Sequence, residues 1–127
     1  MIKIITSVAL GGALGALLRY GVIVSSQAYL DMRFPYATLM VNILGSFLAG
    51  LLLHGLMARY GASENFRLFV FTGFLGALTT FSSFAAESLV FFEQAAWLKL
   101  GLNIGLNNMG ALAAVLLGAR VGALFGN

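Results

Sequence analysis

The chain has no cysteine, one proline and one histidine among its 127 residues. Without cysteine there is no disulfide framework, thiolate metal site or cysteine nucleophile, and nothing follows about the redox compartment. Charge is almost as scarce. Asp, Glu, Lys and Arg make up 9% of the residues against 61% hydrophobic, far from the balance of soluble domains. Such a chain is an integral membrane protein, with no room left for a separate soluble domain. Its net charge of +3 and pI near 9.7 do not point to nucleic acid, because the seven cations are scattered and form no basic stripe. Anionic lipid headgroups are the simpler partner. The single histidine, His54, lies near a helix end, where a solvated interfacial role is commoner than catalysis, so the chain is read as no enzyme.

What is present is apolar sequence in long runs. A membrane-spanning helix needs roughly 20 predominantly apolar residues. Charged and turn residues cut the chain into four such runs, about Ile4 to Ala28, Pro35 to Arg59, Phe66 to Phe92 and Trp97 to Leu117. The prediction is an all-α membrane protein: one four-helix transmembrane domain covering 1–127, joined by short connections at Tyr29 to Phe34, Tyr60 to Asn65 and Glu93 to Ala96. Pro35 suits the first turn of a helix, where its missing N–H is harmless. The first run is too long for a removable signal peptide, holds Arg19, and has no turn-bounded small-residue cleavage site, so it is expected to stay as a helix. No internal repeat is visible, which disfavours a transporter built from inverted repeats within one chain. Symmetry would have to come from a second copy. With four spans, Lys3, Arg59, Arg67 and Arg120 collect on one side against Arg33 and Lys99 on the other. That bias is weak by the positive-inside rule. Insertion in both orientations is therefore reasonable, and with it an antiparallel dimer whose two-fold axis lies in the membrane plane.

Polar residues inside the runs carry the functional signal. Gly11 and Gly15 share a face of the first helix with Arg19, and the glycines read as close helix packing. Arg19 falls only a few residues past the middle of its span, where a cation costs roughly 2.5 to 3.5 kcal/mol on insertion scales unless water or a partner reaches it. A water-filled vestibule that concentrates anions accounts for it. In the second helix Thr38, Asn42 and Ser46 recur every four residues and stack as a polar stripe. Interhelical hydrogen bonding explains the hydroxyls, but an amide near mid-membrane has several groups to satisfy. The fourth helix repeats the spacing with Asn103 and Asn107, whereas Asn108 turns about 100° away from Asn107. In the third run, GFLGALTTFSSFAAE at 73–87 sets glycines and hydroxyls amid hydrocarbon. Their local hydrogen bonding weakens a helix, and the prediction is a break between Gly76 and Thr80. Irregular backbone at that depth is tolerated only in a protein interior or along a cavity, and it frees carbonyl oxygens suited to a hard cation. Phe81 and Phe84 beside such a break can turn positive ring edges toward an anion while excluding water.

Three stretches, GGALGALLRY at 11–20, ATLMVNILGSFLAG at 37–50 and GFLGALTTFSSF at 73–84, resemble the Fluc (CrcB) family of fluoride channels in order and spacing, and the four-span layout extends the likeness over the whole chain. The TTFS core with its second phenylalanine is the most specific part. Ser83 stands where the family often has threonine and Ala37 where it often has glycine; both keep size. The resemblance implies a dual-topology antiparallel homodimer with two pores in the cell membrane, passive fluoride export that protects the cytoplasm, and one phenylalanine from each subunit in each pore at the positions of Phe81 and Phe84. It also implies a pore-lining Asn42 and a structural sodium ion on the two-fold axis, held by backbone carbonyls at Gly76 and Thr79. Fluoride is small and strongly hydrated, so its passage needs closely spaced donors, for which Asn42, Thr80, Ser82 and Ser83 are candidates, with Thr38, Asn103 and Asn107 along the route. The alternative, a small dual-topology proton-coupled exporter of organic cations, needs a membrane-embedded carboxylate. Asp31, Glu64 and Glu93 fall in loops, and Glu87 lies on the order of 12 Å from its helix middle at 1.5 Å per residue.

Overall fold

The computed structural model describes residues 1–31, 33–57 and 61–126. Among the described residues four helices are long and apolar enough to cross a membrane, Ile2–Tyr29, Tyr36–Gly55, Glu64–Glu93 and Trp97–Phe125. The first is α1 (Ile2–Tyr29) and the second α2 (Tyr36–Leu52), which widens into π geometry over Leu53–Met57. Pro35 sits at the cap of α2, just ahead of the expected first turn. The expected end of this span at Arg59 and the start of its loop at Tyr60 lie outside the described residues, and with them Arg59 as a contributor to the charge bias. The last helix, α5 (Trp97–Gly126), runs well past Leu117, because Gly118 and Gly122 pack against the α2 backbone near Phe47 and Leu51 while Arg120 stays exposed on its surface.

The third span is two helices. Ser63 starts α3 (residues 64–78) by accepting the Phe66 N–H at 3.3 Å. After Arg67 the helix widens into π geometry over Leu68–Leu75 and closes with one turn at Gly76–Leu78. Thr79 (φ −82°, ψ 157°) and Thr80 (φ −151°, ψ 113°) are then extended, and α4 (Phe81–Glu93) follows. The predicted break is present, at the C-terminal edge of its expected range. Gly76 itself remains helical.

In the bundle α1 packs chiefly on α3, α2 on α5, and α4 on α5. Glycines make the first two seams. A Cβ at Gly11 would lie 2.9 Å from the Phe74 nitrogen, and one at Gly50 2.7 Å from the Ala119 nitrogen, so backbone meets backbone where hydrocarbon solvent offers no hydrophobic drive to association. A small core of Val41, Val70, Leu75 and Leu78 lies beside the break. Large apolar residues such as Leu10, Leu14, Leu17, Leu112 and Leu116 point outward, as lipid-facing or subunit-facing residues do.

Candidate functional site

A helix break leaves main-chain groups without their usual partners, and the partners they find define this site. In an unbroken helix the Thr80 N–H would bond the Gly76 carbonyl and the Ser83 N–H the Thr79 carbonyl. Here the Thr80 N–H donates to Asn42 Oδ1 at 2.8 Å, and the Ser83 N–H to Thr80 Oγ1 at 3.2 Å. Asn42 returns the contact by donating its Nδ2 to the Thr80 carbonyl at 3.2 Å. The α2 amide thus pairs with both main-chain groups of the residue that interrupts the span. Gly45, one turn along α2, leaves the space that the Thr79 methyl fills.

Asn42 does not stand alone. Its Nδ2 also donates to Asn107 Oδ1 at 2.9 Å, and Asn107 Nδ2 donates to Asn103 Oδ1 at 2.9 Å and to the Asn103 carbonyl at 3.0 Å. Asn103 Nδ2 in turn donates to Ser88 Oγ at 3.0 Å, with the Phe84 carbonyl at 3.5 Å. Ser88 gives its own proton to that carbonyl at 2.8 Å. Asn103 is 0% exposed and Asn107 5%.

Two cavities flank this arrangement. One, of about 350 Å³, is bordered by Asn42, Ser46, Thr80, Phe81, Phe84 and Asn107 among others. The second, of about 380 Å³, is bordered by Thr38, Ser83 and Glu87 together with Arg33 and Asp31. Thr38 lies one helical turn from Asn42 and Ser46 one turn the other way, about 6 Å each at 1.5 Å per residue, so the α2 stripe runs from one cavity to the other. Phe84 is buried at 8% exposure, while Phe81 projects outward at 74%. Their centroids are 5.2 Å apart and the planes tilted by 61°. Thr80 Oγ1 donates to Ser83 Oγ at 3.0 Å and lies 3.3 Å from Ser82 Oγ.

The family described as CrcB-like protein, Camphor Resistance (CrcB), matches residues 6–119. The chain belongs to the CrcB (FluC) family. A Legionella pneumophila (strain Philadelphia 1) protein named fluoride-specific ion channel FluC is 58% identical over 115 residues, covering 91% of this chain and 86% of the relative. Proteins of the same name from Methanococcus maripaludis and Aeromonas salmonicida are 46% identical over 119 residues and 44% over 114. They cover 93% and 90% of this chain, and 93% and 91% of their own lengths.

Of the candidate pathway residues, the structure brings together Asn42, Thr80, Ser82, Ser83, Phe81, Phe84, Asn103 and Asn107, and places Thr38 at the second cavity. Arg19 borders neither of these cavities and forms no ion pair among the described residues. The fourth-helix pair that meets the first cavity is Asn107 with its neighbour Asn108, not Asn107 with Asn103, which lies behind it. Ser46 borders that cavity too, an extension of the stripe that spacing already signalled. Glu87 is the residue that sequence reasoning set aside. Its distance from mid-helix stands, yet its side chain turns inward, accepting from the Thr38 hydroxyl at Oε1 while Oε2 is buried without a partner among the described residues.

Proposed function

We infer that this chain is a fluoride-selective channel, a passive pore and not an enzyme, through which fluoride leaves the cell. The observation that carries the reading is the phenylalanine pair at a mid-membrane break, lining one of two cavities that the α2 polar stripe joins, in a chain 58% identical to a fluoride-specific channel. A small anion entering the cavity beside Asn42 and Ser46 exchanges water for hydroxyl donors and for the positive edges of Phe81 and Phe84. The Ser83 hydroxyl, which accepts from Thr80 and so keeps its own proton to give, hands the ion toward the cavity beside Thr38 and Glu87. The phenylalanine pair supplies no fixed charge, so the ion binds well enough to enter and weakly enough to leave.

Phe81 projects from the single chain, and a second copy inserted in the opposite orientation would enclose it. Two pores would then form, each with a phenylalanine from either subunit. The diverted N–H groups of Thr80 and Ser83 leave the Gly76 and Thr79 carbonyls without their helical donors. Main-chain oxygens at Gly76 and Thr79 would then hold a sodium ion on the dimer axis, whose charge would offset oxygen repulsion where two breaks meet. Growth tests the reading in cells. A bacterium stripped of its own fluoride export should regain growth in fluoride medium when it expresses this chain, and unchanged sensitivity with the protein present in the membrane would refute it.

A further inference from the structure

The three asparagines form a chain with one direction, and its two ends are main-chain groups that cannot turn over. At one end the Thr80 N–H, a fixed donor, requires the oxygen of Asn42 to face it. At the other, the Phe84 carbonyl, a fixed acceptor, takes the Ser88 proton, which leaves Ser88 Oγ able only to accept from Asn103. Every amide between is thereby oriented: Asn103 presents its oxygen to Asn107, and Asn107 presents its oxygen to Asn42. Each Nδ2 has two protons, and each of the three spends both inside the chain: Asn42 on Asn107 and Thr80, Asn107 on Asn103 twice, Asn103 on Ser88 and Phe84. The amides so engaged have no proton left for an ion. The segment they bracket, Thr80 to Phe84, is the first turn of α4 and carries both phenylalanines and the hydroxyls.

We propose that Asn103, anchored by Ser88, is a positioning residue of the permeation pathway: it does not meet fluoride, and acts through Asn107 and Asn42 to hold the Thr80–Phe84 turn in register with α2. Flipping any one amide sets oxygen against oxygen at the next link, so the register has one solution. Truncating the chain at Asn103 removes its Oδ1 and leaves Asn107 held by the residue-103 carbonyl alone, which loosens Asn107, and through it Asn42 and the acceptor of the Thr80 N–H.

The inference rests on the fluoride reading, and a double-mutant cycle separates the two. Fluoride efflux from proteoliposomes is measured for the wild type, Asn103→Leu, Asn42→Ala and the double variant, each checked for a folded state by gel filtration. Asn103→Leu should lower flux about tenfold, as the loss of one buried hydrogen-bonded link implies. In the Asn42→Ala background the same change should alter flux by less than about twofold, because residues acting through one another are non-additive. Multiplying effects, or wild-type flux in Asn103→Leu, overturn the positioning role while leaving the channel reading intact; an inert wild type overturns the channel reading itself. A second readout does not depend on flux. Hydrogen exchange at the Thr80 amide should be about tenfold faster in Asn103→Leu and faster also in Ser88→Ala, which keeps every asparagine and serves if Asn103→Leu does not fold. Exchange at the wild-type rate in the folded variants overturns the proposal.

Discussion

Replacing Asn42 by aspartate changes one atom and reverses the chemistry at the break. The new carboxylate oxygen stands where Nδ2 stood, 2.9 Å from Asn107 Oδ1 and 3.2 Å from the Thr80 carbonyl, so two hydrogen bonds become oxygen–oxygen contacts. Asn107 can turn its amide over to donate, but its own oxygen then comes within 2.9 Å of Asn103 Oδ1 and 3.0 Å of the Asn103 carbonyl. The conflict moves along the chain and does not vanish. A buried polar group left unsatisfied costs about 1–3 kcal/mol. A fluoride ion passing about 4 Å from a unit negative charge is repelled by about 4 kcal/mol at an effective dielectric of about 20. That repulsion alone amounts to roughly a thousandfold in rate. Fluoride efflux from proteoliposomes at neutral pH, read with a fluoride electrode, should therefore be lost in Asn42→Asp. It should fall only about tenfold in Asn42→Ala, which removes the amide without adding charge. Asn42→Asp flux within about threefold of wild type, from folded protein, would refute both the placement of Asn42 at the pathway and the dielectric argument.

Phe81→Ile and Phe84→Ile should each cut fluoride flux by about tenfold or more, equivalent to about 1.4 kcal/mol of lost ion stabilisation, with the proteins still folded on gel filtration; unchanged flux in both returns the rings to packing. Glu87→Gln keeps an acceptor for Thr38 and puts an amide nitrogen where Oε2 lies unpartnered. Its flux should equal or exceed wild type, and a tenfold loss would show that the carboxylate itself is required. If main-chain oxygens hold the proposed sodium ion, Thr79→Ser should retain it. Gly76→Leu should lose it by crowding an exposed position at the break; anomalous or elemental detection of equal sodium in both proteins would contradict that assignment.

Much of the bundle was legible because lipid imposes length and polarity rules that soluble folds lack. Four apolar runs became four spans, and the hydroxyl-rich GALTTFSS segment became the break. Spacing also placed Thr38, Asn42 and Ser46 on one face of α2. What escaped the sequence is where each polar group finds its partner. Periodicity puts Asn103 and Asn107 on the same side of α5, but only the packing of α4 decides that Asn103 meets Ser88 and is sealed off. Asn108 instead borders the cavity. Sequence sets Glu87 far from mid-helix, and depth says nothing about whether a side chain turns toward lipid, water or a neighbouring threonine. The π-helical stretch before the break was likewise invisible, since its residues, LFVFTGFL, are ordinary for a membrane helix.

A fluoride channel must pass fluoride and reject other ions. Purified protein in liposomes loaded with fluoride, chloride or a small organic cation tests it directly, with efflux of each species followed under an imposed gradient and no proton gradient. Rapid fluoride efflux is expected, with chloride at the leak rate of protein-free liposomes and no movement of the organic cation. Efflux of chloride comparable to fluoride, or transport of the cation that depends on a proton gradient, would contradict the fluoride reading.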